Sequence, residues 1–236
     1  MNPKYREKIY RKYVEILTKY SEKPNDNQEY KKRKKLYNLN YKKFLPSNRE
    51  SKILELGCGK GFFLKYLKEM GYSNILGVEK SESPILHALS DIKNYIVEDD
   101  MFNYMKNCSE KYDLIVLFHV IEHLFKEEVL DILELIYEKL SSNGILLIEV
   151  PNASSPLFGC INRYSEFTHE IGFTPSSLRE ILMISDFKNV EVYSVRDLSI
   201  LARITFKFVN YFLHSRFTKD MFIEGGIFAI GRKEKN

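Results

Sequence analysis

Residues Lys52 to Phe63 read KILELGCGKGFF, and the fold is decided here. An apolar run of Ile53, Leu54 and Leu56 carries one acid, Glu55. It ends in three glycines at alternate positions, Gly57, Gly59 and Gly61, before a helical pattern begins at Phe62. That order predicts a strand, a tight turn and a helix start. Glycine suits the turn because the backbone there takes φ > 0 and because a side chain would obstruct a ligand over the helix N-terminus. A dinucleotide fingerprint has two residues between its second and third glycines, which makes room for a pyrophosphate. Here Lys60 alone separates Gly59 from Gly61. A different ligand, or a glycine-rich turn with no ligand, are the readings left by the turn itself.

Outward from the turn, short apolar runs alternate with helical patterns, the signature of a parallel sheet covered by helices. The strands expected are 52–56, 74–79, 95–98, 113–118, 144–150, 190–195 and 226–232. The clearest helix spans Glu122 to Leu140, with Leu124, Val129, Ile132, Leu133, Ile136 and Leu140 on its buried side. Two amphipathic helices precede the first strand, over Tyr5–Tyr20 and Gln28–Phe44. The lysines and arginine of 31–35 are expected to face largely away from the core. The predicted architecture is α/β, a Rossmann-like, seven-stranded, mostly parallel sheet with helices on both faces. Residues 1–45 form an N-terminal basic helical segment, 46–236 the main domain, and 197–217 a helical insertion before the last strand.

In an open sheet of this kind the ligand lies outside the carboxyl ends of the strands. Those ends are polar here. Glu79 closes the second strand, where a carboxylate can accept from both hydroxyls of a ribose. Asp99 and Asp100 follow the third strand, ahead of Met101 and Phe102, and Phe118 and His119 end the fourth. Each acid also reads as a helix cap or a solvated loop charge.

The segments ELGCGKG, GVEKS, VEDDMF, YDLIVLFHVIEHL and GILLIEVPN, in this order between Lys52 and Val150, resemble the class I S-adenosylmethionine-dependent methyltransferases. The resemblance implies that Glu55, Gly57, Gly59 and Gly61 surround the methionine part of S-adenosylmethionine, Glu79 the ribose, Asp100 the adenine amine and Met101 the ring edge. Cys58, Lys80, Asp99 and Phe118 complete the implied cofactor set. FHVIEHL is similar to the ubiquinone-pathway O-methyltransferases. PNASSPLFG and FTHEIGFTPSSL are similar to methyltransferases associated with bacterial surface polysaccharides.

Methyl transfer from a sulfonium is an in-line displacement, so the protein chiefly aligns the acceptor and removes its proton. His119, Glu122 and His123 fall at i, i+3 and i+4, expected on one face at the start of a helix. Two roles are open to them beside plain capping and packing. A histidine can act as base, or the three can hold a divalent ion; the ubiquinone-type enzymes carry an acid at the position of His119. His169, in RYSEFTHEIGFTP, is a second candidate base, unless it fixes its loop by bonding a backbone carbonyl. Asn152, Arg163, Tyr164 and His169 are expected to contact a sugar or its phosphate.

The 236-residue chain has a formal net charge of +4. Residues 1–45 hold 14 Lys/Arg against 5 Asp/Glu, about +9, and the remainder 22 against 27, about −5. A basic segment attracts a phosphorylated substrate, a nucleic acid or an anionic membrane. Nucleic acid is the disfavoured partner: His119, Val120 and Ile121 stand where amino-methylating enzymes carry Asn/Asp-Pro-Pro-aromatic and cytosine C5 enzymes carry Pro-Cys. The expected acceptor is a small or carrier-linked glycan precursor such as a nucleotide-activated sugar. The alternatives are a quinone or lipid-type acceptor, or a non-catalytic cofactor-binding partner subunit. Three cysteines without metal-like spacing and a charged N-terminus predict a cytoplasmic setting. The 197–217 insertion reads as a cover, a homodimer face or a membrane-surface element.

Overall fold

The computed structural model describes residues 26–196, 222 and 224–234. The expected helix over Tyr5–Tyr20 and the insertion at 197–217 lie outside the described residues. The chain divides into two compact units, Met1–Cys108 and Ser109–Asn236. Its strands, numbered β1 to β7 along the chain, follow the order β3-β2-β1-β4-β5-β7-β6 in a seven-stranded sheet.

In the first unit, β1 (Ile53–Leu56), β2 (Ile75–Glu79) and β3 (Ile96–Glu98) pair in parallel. Every residue of β1 is buried, as an apolar run too short for a helix requires. Helix α2 (Phe62–Glu69) leaves the glycine turn, and Gly71, at φ 90°, follows its end. Helix α1 (Asp26–Asn40) rests on α2 through aromatic side chains. Tyr37 lies 5.1 Å from Phe63 and 5.4 Å from Tyr66 between ring centres, and Tyr30 stacks on Phe62 at 6.4 Å. The helix expected to run to Phe44 instead stops at Asn40 and gives way to a single 3₁₀ turn, Lys42–Phe44. Leu45 is extended (φ −68°, ψ 143°), as a residue before proline must be to avoid the ring of Pro46. The 31–35 cluster is only partly turned outward: Lys34 pairs with Glu69 at 2.6 Å and Arg33 lies over the Phe62 ring. Short helices α3 (Glu82–Leu86) and α4 (Met101–Asn107) follow β2 and β3.

In the second unit, β4 (Tyr112–Phe118) and β5 (Leu140–Pro151) are parallel, whereas β7 (Gly226–Arg232) runs antiparallel between β5 and β6 (Lys188–Ser194). Leu114 to Leu117, Leu146 to Ile148 and Ile227 to Ile230 are almost wholly buried. Each of these side chains except that of Ala229 contributes roughly 1.5–3 kcal/mol of transfer free energy. The long helix begins four residues later than expected: α5 spans Lys126–Lys139, and Glu122 lies in a separate 3₁₀ turn, Ile121–His123. The delay has a local cause. His119 takes φ 55°, which breaks any helix begun at the strand end, and the α5 start is fixed where the Glu128 carboxylate accepts from the Phe125 N–H. Helix α6 (Gly159–Tyr164) lies in the long connection after β5. Helix α7 (Pro175–Ile184) starts as predicted, with Thr174 accepting from the Ser177 N–H and Pro175 in the first turn. Among the described residues no helix is long and apolar enough to cross a membrane.

Gly77 on β2 has no room for a side chain, because a Cβ there would lie 2.5 Å from Cys58 Sγ and 2.7 Å from Leu64 Cδ1. Both neighbours are buried. Gly77→Ala is therefore expected to lower stability by about 1–3 kcal/mol in urea unfolding. A loss below about 0.5 kcal/mol would mean that β1, β2 and α2 are not packed this closely.

Candidate active site

The glycine turn hangs on the end of β2. The Val78 carbonyl accepts from the N–H groups of Gly57 (2.8 Å) and Cys58 (3.2 Å), and Gly61 N–H closes the turn on the Cys58 carbonyl at 2.9 Å. Gly57, Gly59 and Gly61 have φ of 74°, 53° and 76°, values that disfavour any side chain. Gly61 also lies against Ile92, whose Cγ2 would be 2.6 Å from an added Cβ, whereas nothing among the described residues lies within 4 Å of one on Gly59. The turn is thus packed behind Gly61 and open over Gly59. Cys58 is buried with its sulfur inward against Gly77, and burial, reinforced by Glu55 and Glu79, pushes its thiol upward. Its side chain supports the turn from behind, so only its backbone is placed to face a ligand.

Glu79 is aimed by the backbone: Gly59 N–H donates to Oε2 and Ser81 N–H to Oε1, both at 2.9 Å. Each carboxylate oxygen keeps a second lone-pair direction for a hydroxyl donor. Glu55 is buried, and its Oε2 has no hydrogen-bond partner among the described residues. Burial pushes it well above the usual carboxylate range; the charge of Arg33 opposes that rise and Glu79 adds to it. Asp100 caps α4, its Oδ1 accepting from Phe102 and Asn103, while its Oδ2 meets Lys80 Nζ at 3.0 Å. Despite an opposing effect of burial, the Lys80 ammonium and these N–H groups hold Asp100 below its ordinary range. Asp99 accepts from the Asp100 N–H and the Asn103 amide. Both acids therefore serve first as local fasteners, and Lys80 is placed on Asp100. Met101 begins α4, half-buried.

These residues fit S-adenosylmethionine. The unsatisfied oxygen of Glu55 suits an ammonium, the space over Gly59 admits a backbone-close ligand, and Glu79 is oriented for vicinal hydroxyls. Of the cofactor residues expected from sequence, Phe118 alone lies in the second unit, where it ends β4 beside His119.

In the second unit His119 sits between two carboxylates, Nδ1 3.3 Å from Glu122 and Nε2 3.4 Å from Glu149. Burial opposes its protonation, but Glu149 and Glu122 outweigh that effect and push it up to about 10. His119 therefore holds its proton at neutral pH. Its ring N–H groups face the two carboxylates, which places it as their hydrogen-bond donor. The left-handed backbone and the 3₁₀ turn also remove the expected common helical face for His119, Glu122 and His123. Glu122 instead groups with His123 and His169, with one donor atom from each within 4.8 Å of the others. Glu170 and Ile171 dock the loop by donating to the Glu122 carbonyl at 2.7 and 3.1 Å. Burial, partly offset by Glu122 and Glu166, holds His123 below its ordinary value.

The expected acceptor contacts divide. Asn152 is fully buried; its amide donates to the carbonyls of Phe222 and Glu224 and its oxygen accepts from Ser154. It ties strands and loops together and is no sugar contact. Arg163 donates to the Glu170 carbonyl at 3.0 Å and lies over the ring of Tyr164, which is 78% exposed. His169 bonds the Asn162 carbonyl, as the plainer of its two readings anticipates. Sequence reasoning passed over Glu149, Glu166 and Thr168. Glu149 carried the same signal as Glu79, an acid near the carboxyl end of a buried strand; Glu166 and Thr168 carried none beyond their loop.

A family model described as a methyltransferase domain matches residues 5–199. The chain belongs to that family. This methyltransferase-domain protein is 30% identical to a ribosomal protein L11 methyltransferase of Thermosipho melanesiensis over 98 residues, 41% of this chain and 36% of the relative. It is 31% identical over 114 residues to an uncharacterized protein of Haemophilus influenzae, 44% of this chain and 43% of the relative. The matches span less than half the length of these curated relatives. A SAM dependent methyltransferase from Archaeoglobus fulgidus superposes with a TM-score of 0.69 at 25% identity, covering 85% of this chain and 94% of that one. Phosphoethanolamine N-methyltransferase 2 of Haemonchus contortus, solved with S-adenosyl-L-methionine, gives 0.60 at 15% identity over 82% of this chain and 51% of that one, a likeness of fold.

Two measurements check these assignments. Gly59→Ala is expected to cost only about 1–2 kcal/mol of backbone strain yet weaken S-adenosylmethionine binding at least about tenfold by calorimetry. Gly61→Ala, which adds a clash with Ile92, should lose clearly more stability. Equal cofactor affinity in Gly59→Ala would place the ligand elsewhere. The second concerns His119. Its pKa is raised on folding from about 6.5, so its contribution is complete below that pH and is lost as pH rises toward about 10. His119→Gln should thus be most destabilised relative to the parent near pH 6, with the gap closing in the alkaline range. A gap that does not change with pH would mean that the two carboxylates do not hold the proton.

Proposed function

We propose that this protein transfers the methyl group of S-adenosylmethionine to an oxygen of a small or carrier-linked polar acceptor, most simply a nucleotide-activated sugar or related glycan precursor. The observation that carries the cofactor half is Glu79, fixed by two backbone N–H groups beside the open face of Gly59. The acceptor half draws support from the second unit, where Glu149, Glu122, Glu166 and the imidazolium of His119 gather around one strand end and loop. Carboxylates accept from hydroxyls and an imidazolium lays positive charge beside an oxygen, a set suited to a polyhydroxylated molecule. The excess of lysine and arginine in residues 1–45 would draw the phosphates of such an acceptor.

In this reading, the cofactor supplies an electrophilic methyl carbon. Glu79 and the turn fix the cofactor's position, and the acceptor hydroxyl attacks along the line of the departing sulfur. With both ring N–H groups turned to Glu122 and Glu149, His119 contributes positive charge beside the acceptor, and the hydroxyl proton passes to a carboxylate or to solvent.

The test is methyl transfer from labelled S-adenosylmethionine to a panel of nucleotide-activated sugars, quinols, RNA and ribosomal protein. Transfer to a sugar nucleotide, lost in Glu79→Ala together with cofactor affinity, is the expected outcome. Labelling of RNA or ribosomal protein alone would overturn the acceptor assignment, and cofactor binding without any transfer would favour a non-catalytic partner subunit.

A further inference from the structure

We propose that Glu122, His123 and His169 bind one divalent transition-metal ion, of the zinc or cobalt kind, through one carboxylate oxygen and two imidazole Nε2 atoms. The three donors come from two segments that the fold holds together. Glu122 and His123 belong to the 3₁₀ turn after β4, and His169 to the loop whose backbone donates to the Glu122 carbonyl. One donor atom from each residue lies within 4.8 Å of the others, and the two rings are 4.8 Å apart between centres. A tetrahedral ion with bonds of about 2.0–2.1 Å needs donors about 3.4 Å apart. Side-chain adjustments of roughly an ångström close that gap.

The hydrogen bonds around the rings prepare both histidines for this role. His169 Nδ1 lies 2.8 Å from the Asn162 carbonyl, which can only accept, so Nδ1 carries the proton and the lone pair of the neutral ring is on Nε2. His123 Nδ1 lies 3.0 Å from Thr168 Oγ1, and that hydroxyl spends its own proton on Glu166 Oε1 at 2.7 Å. It must therefore accept from His123, which again leaves the lone pair on Nε2. Histidines that ligate metals donate their other ring N–H in this way, which fixes the tautomer and the ring orientation.

Glu122 adds an independent sign. It is 1% exposed; its Oε1 faces His119 at 3.3 Å, while its Oε2 has no hydrogen-bond partner among the described residues. A buried carboxylate oxygen left so is costly unless a cation on that side completes it. Glu166 points the same way, its Oε2 being 3.6 Å from the Nε2 lone pair of His169, an arrangement that a cation beside both turns from repulsive to attractive. Two imidazoles and one carboxylate select borderline ions over magnesium or calcium. Three protein donors leave a coordination position open. On the oxygen-acceptor reading above, that position would take the acceptor hydroxyl and lower its pKa. His119, held between Glu122 and Glu149, is not among the ligands.

The test needs no acceptor. Chelator-treated full-length protein is titrated with cobalt(II), following heat and the visible d–d absorption, while S-adenosylmethionine binding is measured separately to certify the fold. One cobalt per chain, displaced by zinc, is expected. Affinity should fall at least about tenfold in His123→Ala, His169→Ala and Glu122→Gln, and by about tenfold in Thr168→Val, which removes no ligand but takes away the support of His123 and the bond to Glu166. His119→Ala should still bind one ion. Absence of saturable cobalt binding in a folded, cofactor-binding protein would overturn the proposal, as would unchanged affinity in folded His169→Ala. Metal binding without methyl transfer to any hydroxyl would sink the oxygen-acceptor reading and leave the metal site standing.

Discussion

The end of β2 holds the first unit's site together. One carbonyl, Val78, fixes two successive N–H groups of the glycine turn, and the next side chain along, Glu79, takes a third from Gly59. A strand end thereby dictates the path of a loop that would otherwise be free to take many conformations. Three left-handed glycines make that path accessible without steric cost, and Gly77 allows Cys58 to pack beneath it. The same contacts that fold the turn therefore orient the carboxylate assigned to the ribose. A change that loosened β2 would reach the ligand before it reached the rest of the core.

Much of this was legible because it depends on local order. The strand, turn and helix at 53–69 follow from apolar runs and glycine spacing, and the acids at the strand ends follow from where an open sheet presents its ligands. The start of α7 was readable from Thr174 and Pro175 for the same reason. What was not legible depends on one backbone torsion or on a distant partner. The i, i+3, i+4 spacing of His119, Glu122 and His123 fits a helix, but the left-handed φ of His119 and the extended backbone of Leu124 and Phe125 move the helix start beyond them. Asn152 looked like a polar group at a strand end, yet its partners are the carbonyls of Phe222 and Glu224, some 70 residues away. Nothing in the local pattern announces such a pairing.

The torsion at His119 has chemical consequences. Its ring meets Glu122 on one side and Glu149 on the other, and the paired negative charges retain its proton. A histidine that reads as a base in one dimension becomes a donor in three. The turn that follows then gives Glu122 and His123 to a different neighbour, His169, contributed by a loop more than forty residues further on.

That exchange of neighbours separates two kinds of work within a few residues. The half-exposed His119 is paired with two carboxylates as a cation, whereas the largely buried His123 is held neutral, with its Nδ1 donating to Thr168. Two imidazoles four positions apart thus end in opposite charge states, set by the carboxylates that face one and by the burial of the other. Glu122 stands between them, paired at 3.3 Å with the first and grouped with the second. Its single buried charge cannot fully satisfy both a protonated imidazole and a metal. Were the proposed metal site filled, its occupancy would therefore influence the pairing with His119, because Glu122 is shared by both.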